Sequence, residues 1–119
     1  MKTLVIGASE NPERYSNKAI RMLRSYGHEV VGVGLKEGKV EDVSYGNELL
    51  SFENIDTVTL YVGPKNQTVY QEYISKVIQP RRVIFNPGTE NLDWQQKLSK
   101  DGIHVEVACT LVLLSTNQY

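Results

Sequence analysis

The sequence predicts an α/β fold, a single doubly wound, mainly parallel five-stranded sheet with helices on both faces. Three observations carry this. Short apolar runs rich in β-branched residues recur at 3–6, 29–33, 57–62, 82–85 and 103–107. Most are separated by the length of a crossover helix, and amphipathic segments fill those gaps. The runs are continuously apolar rather than alternating, as expected of strands covered on both sides. Right-handed crossovers then leave a small doubly wound sheet as the natural topology.

Each element has its own local signal. The first strand stops at Gly7, and residues 16–26 follow as a helix whose stripe is Ala19, Ile20, Leu23 and Tyr26, with Gly27 as its stop. The second strand ends at Gly32-Val33-Gly34. Residues 38–56 carry Gly38, Ser44, Gly46 and Asn47 and read as loop, with one short helical turn near 48–52. The third strand ends in Gly63-Pro64, and a helix is expected over 66–77, capped by Asn66, with Val69, Tyr70, Tyr73, Ile74 and Val77 on one face. The fourth strand ends at Asn86-Pro87-Gly88-Thr89, a turn signal. A helix over 91–100 with Leu92, Trp94 and Leu98 inward stops at Gly102, and the last strand follows. The apolar tail Thr110-Leu111-Val112-Leu113-Leu114 must pack on the domain or on a partner, so it permits a homodimer.

Composition narrows the function. One domain is expected over 1–119. A net charge of −1 argues against binding nucleic acid through bulk charge. The charge is uneven: residues 1–40 hold seven Lys/Arg against four Asp/Glu, residues 41–119 six against ten. No run reaches membrane-spanning length, a strand begins at the N-terminus without a leader pattern, and Cys109 stands alone, so no internal disulfide is possible. The chain reads as cytoplasmic, and the Asn66-Gln67-Thr68 sequon is discounted on that ground.

Ligands of such sheets bind beyond the carboxyl ends of the strands. The opening turn is the most informative of these ends. Gly7-Ala8-Ser9 runs through Asn11-Pro12 into a helix bearing Arg14, Ser16 and Lys18. Backbone N–H groups and the dipole at a helix start favour an anion, so this is either a phosphate site or a plain tight turn. A full dinucleotide fingerprint is absent, because the next glycine after Gly7 is Gly27. After the second strand the first charge is Lys36, suited to a phosphorylated ribose, with Glu37 beside it. Val62-Gly63-Pro64 forms a rigid corner over which a flat ring could lie, and Asn86-Pro87-Gly88 a loop at the same edge. Cys109 follows the last strand at the same end of the sheet and reads either as an inert small hydrophobe or as a nucleophile. Neither His28 nor His104 has a second ligand at metal spacing, and no catalytic triad or carboxylate pair can be assembled, so no metal site and no enzyme is expected.

Together these residues resemble the small stand-alone CoA-binding proteins, which share a Rossmann-like fold with the N-terminal domain of the succinyl-CoA synthetase α-subunit. The similarity covers nearly the whole chain. Its most specific part is Gly7-Ala8-Ser9-Glu10-Asn11-Pro12-Glu13-Arg14-Tyr15-Ser16, similar to the family's Gly-Ala-Ser-x-x-Pro-x-Arg-x-Ser opening. The resemblance implies a nucleotide thiol, coenzyme A or an acyl-CoA, as ligand. Gly7, Ala8 and Ser9 would meet its pyrophosphate, aided by Arg14 and Ser16, and Lys36 would meet its 3′-phosphate. Val62, Gly63 and Pro64 would border the adenine. Asn86, Pro87 and Gly88 would flank the pantetheine, and Cys109 would lie near the CoA sulfur, able to form a mixed disulfide. Val107-Ala108-Cys109-Thr110 departs from the family's Asp-Arg-Cys-Pro turn. The ligase phosphohistidine belongs to a second domain, so ligase chemistry does not carry over. An NAD(P)-binding module or redox sensor on the same sheet is the alternative, with Glu37 rather than Lys36 toward the ribose.

Overall fold

A computed structural model describes residues 1–119. Five strands form one parallel sheet in the order β2-β1-β5-β6-β7: β1 (Lys2–Ala8), β2 (Glu29–Gly34), β5 (Thr57–Leu60), β6 (Arg82–Phe85) and β7 (His104–Val107). The strand order reverses between β1 and β5, β2 being added on one side of β1 and the later strands on the other, so the switch point lies at the end of β1, where ligands of open sheets bind. All five strands fall where the apolar runs place them. The third is shorter than expected, although Tyr61 N–H still donates to the Ile6 carbonyl at 2.9 Å.

Side-chain alternation along β1 divides the core in two. Leu4 and Ile6 face α2 (Thr68–Glu72) and α3 (Leu92–Lys100), packing with Val58, Leu60, Ile74, Phe85, Trp94 and Leu98. Val5 faces α1 (Tyr15–Ser25) and α4 (Thr110–Ser115), packing with Ile20, Leu23 and Leu114. Ala8 joins the Val5 side, out of step with Ile6, because the pairing with β2 shifts between Ile6 and Ala8. That shift sits at Gly7, whose φ of +97° is costly for any residue with a Cβ.

Several expectations change. Residues 48–52 form no helical turn. The stretch before them is an antiparallel hairpin, β3 (Gly38–Val40) with β4 (Val43–Tyr45), in which Val40, Val43 and Tyr45 all reach the α1-side core. The helix expected over 66–77 is three pieces: a 3-10 turn at Pro64–Asn66, α2, and a π-helical segment at Tyr73–Ile78. Asn66 therefore caps nothing. The wider π turn moves the buried position from Val77 to Ile78, so Tyr70, Tyr73, Ile74 and Ile78 are buried and Val77 is exposed. Val69, in α2, is exposed where it lines the cavity described below. Tyr26 and Leu92 likewise lie at the surface rather than on their inward stripes.

The apolar tail packs on its own domain. Thr110 and Leu114 of α4 are buried. Beyond them the Tyr119 ring lies 4.6 Å from the Arg82 guanidinium, and its hydroxyl hydrogen-bonds Thr3 Oγ1. No helix is long and apolar enough to cross a membrane.

Candidate functional site

A cavity of about 950 Å³ opens at the carboxyl ends of β1, β2, β5 and β6. Its floor is the turn from β1 to α1. Gly7 turns with positive φ under the backbone of Tyr61: a Cβ there would stand 3.0 Å from the Tyr61 carbonyl oxygen and 3.2 Å from Val62 Cγ1. The loop beyond is held by its own side chains. Ser9 Oγ accepts from Asn11 N–H at 3.1 Å, Asn11 Oδ1 accepts from Glu13 N–H at 3.0 Å, and Asn17 Nδ2 donates to the Ser9 carbonyl at 3.0 Å. Arg21 then fixes Asn17, its Nε donating to Oδ1 at 2.8 Å.

This loop delivers α1 uncapped. Arg14 occupies the N-cap position without a capping hydrogen bond, and no acidic residue lies in the first turn. The backbone N–H groups of Tyr15, Ser16 and Asn17 find no acceptor within the chain. An uncapped helix start with free amides carries the positive end of the macrodipole, the local chemistry of an anion site.

Charge around the cavity fits the same ligand class. Arg14, Lys36 and Lys65 line it from three different loops, and none forms an ion pair. Two carboxylates line it as well: Glu10, which accepts from Lys39 N–H at 3.0 Å, and Glu37. Tyr61 lines the cavity and buries its hydroxyl beside Thr59 and Thr110 without a hydrogen bond that meets normal geometry. Burial pushes the phenol up to about 12, so it stays protonated at neutral pH.

Among the residues singled out from sequence, Gly7, Ala8, Ser9, Arg14, Ser16, Lys36, Val62, Gly63, Pro87 and Gly88 line this one cavity. Three do not. Pro64 starts the 3-10 turn just outside the lining. Asn86 is buried and spent on the fold: Nδ2 donates to Thr59 Oγ1 at 2.7 Å and to the Leu60 carbonyl at 2.8 Å, and Oδ1 accepts from Thr110 N–H at 2.8 Å. Cys109 sits half-buried at the N-cap of α4, beyond β7 and outside the lining. Lys18 turns instead onto the Tyr15 ring, 5.2 Å from its centroid. Lys65 and Tyr61 were not singled out. Lys65 carried a signal in following Gly63-Pro64 at the same sheet edge, whereas the direction of Tyr61 depends on where β5 ends.

A parallel α/β domain of Rossmann type with a cationic crevice at its switch point is the class these features define. The sequence model of the CoA binding domain family matches residues 1–115, and the chain belongs to that family. CoA binding is the general function that membership assigns. Among solved structures, a protein described as uncharacterized is 45% identical with a TM-score of 0.95, the match covering 99% of this chain and 97% of that one. The cell-free ID.343 protein from Thermus thermophilus shares the fold at 20% identity and a TM-score of 0.85, covering 99% and 90%. A PH1109 protein redesigned for binding does so at 21% and 0.86, covering 98% and 82%. None of the curated proteins matches this chain.

Proposed function

We propose that the chain holds coenzyme A, free or acylated, along the carboxyl edge of its sheet without catalysing a reaction on it. One observation carries this: the uncapped start of α1 and three unpaired cations converge on a single cavity of a CoA-binding fold. Gly7, Ala8 and Ser9, with Arg14, Ser16 and the free amides of α1, receive the pyrophosphate. Lys36, at the end of β2, takes the 3′-phosphate. Val62 and Gly63 border the adenine and open onto Pro87 and Gly88, along which the pantetheine runs. The cofactor would supply its thiol as an acyl carrier, and the protein's part is recognition. The cations bind by charge, and the Tyr61 phenol, held near 12, does not trade protons at neutral pH.

Glu37 also lines the cavity and favours a second reading, an NAD(P) module in which this carboxylate meets a ribose. A melting-temperature comparison with CoA, 3′-dephospho-CoA, NAD and NADPH separates the two, because a ligand that binds the folded state raises the transition. The CoA reading expects a rise with CoA that shrinks both for 3′-dephospho-CoA and in Lys36→Ala. A rise with NAD alone would replace it with the second reading.

A further inference from the structure

The loops after β5 and β6 form one side of the cavity and approach closely: a Cβ on Gly63 would come within 4.0 Å of the Gly88 carbonyl oxygen. No backbone hydrogen bond joins these loops beyond the strand ends. A single side chain does. Gln67 is fully buried, and its Nε2 donates to the Val62 carbonyl at 3.0 Å and to the Thr89 carbonyl at 2.7 Å. Its Oε1 accepts from Asn91 Nδ2 at 2.9 Å. The amide has one workable orientation, since turning it over would set Oε1 against two carbonyl oxygens. Asn91 is fixed in turn by capping α3, its Oδ1 accepting from Trp94 N–H at 3.3 Å.

Val62 and Thr89 line the cavity and Gln67 does not. A buried amide loses its hydration on folding, and this one is fully satisfied only by bridging the two walls. We propose that Gln67 is a positioning residue, a strut that sets the gap between the Val62, Gly63 corner and the turn at 87–89 through which the ligand's arm passes. This rests on the CoA reading above.

Calorimetric titration of CoA and of adenosine 3′,5′-bisphosphate tests it. Gln67→Leu should weaken CoA about tenfold and the bisphosphate only about threefold, because both place the adenine against Val62 and Gly63 but only CoA sends an arm past the turn at 87–89. Asn91→Asp keeps the α3 cap but removes the donor to Oε1, and should weaken CoA about threefold. It also carries the test if Gln67→Leu does not fold. Ile103→Ala, at the opposite edge of the sheet, should lower the melting temperature and leave both affinities unchanged. CoA binding within twofold of wild type in both strut variants, or equal losses for both ligands, would overturn the strut. A wild-type protein that binds neither compound would overturn the strut and the CoA reading together.

Discussion

Gly7→Ala probes the phosphate turn directly. Two effects act at once. Residue 7 has a φ of +97°, which costs a residue with a Cβ about 1–2 kcal/mol. The new methyl also meets backbone, 3.0 Å from the Tyr61 oxygen and 3.1 Å from its carbonyl carbon, and neither can swing away as a side-chain tip would. Overpacking of this kind adds about 1–2 kcal/mol, while the stiffer unfolded chain returns about 0.5 kcal/mol. The net expectation is a loss of about 2–3 kcal/mol, or roughly 10 °C in melting temperature for a domain of this size. Gly27→Ala is the matched control: φ is +85°, but a Cβ there has nothing within 4 Å, so it should cost about 1 kcal/mol. Urea denaturation reads both as midpoint shifts at constant slope. Because Gly7→Ala also displaces the Ala8 and Ser9 amides, it should blunt the CoA-induced rise in melting temperature, and Gly27→Ala should not. Equal stability losses in the two variants, or a Gly7→Ala loss below about 0.5 kcal/mol, would refute the close approach under Tyr61.

Further outcomes follow from the same contacts. Asn86→Ala leaves the Thr110 amide and the Leu60 carbonyl without their partner and should cost about 2–3 kcal/mol in denaturant unfolding, while CoA affinity well below the transition stays within about threefold. Two Arg81 hydrogen bonds hold the Asp56 carboxyl below its ordinary 3.8. Its folded-state pKa is depressed, so its stabilisation is present above that ordinary value and lost as pH falls through the folded one. Asp56→Asn should therefore flatten the acid limb of the stability–pH curve, and because the pair is partly exposed the neutral-pH cost should be at most about 1 kcal/mol. Cys109 lies outside the cavity, so intact mass after incubation with CoA disulfide should show little adduct. Stoichiometric modification would put the pantetheine end farther along β7.

The strands of the main sheet were legible because burial leaves continuous β-branched runs, and β1, β2, β5, β6 and β7 fall where those runs lie. The hairpin at 38–45 was not legible. Its strands are three residues each, and Val40, Val43 and Tyr45 are inward because they close over α1, a tertiary fact without a local period. The π segment was hidden too, since Val77 fits a 3.6-residue stripe with Tyr73 and Ile74 that the wider turn then breaks in favour of Ile78. At the cavity, the opening turn could be read from Gly7 to Ser16 because its residues are consecutive in the chain. Gln67 could not, because its role comes from two carbonyls 27 residues apart in sequence, Val62 and Thr89, brought together by parallel pairing of β5 and β6. Asn86 shows the converse: the residue type suited a ligand, but its amide is used up by Thr59, Leu60 and Thr110.

The most direct test is a crystal of this protein grown with coenzyme A. The pyrophosphate should lie against the Gly7, Ala8 and Ser9 turn at the start of α1, with the 3′-phosphate at Lys36. Clear density for the cofactor elsewhere on the surface, with that crevice free of it, would rule out a CoA site at the opening turn.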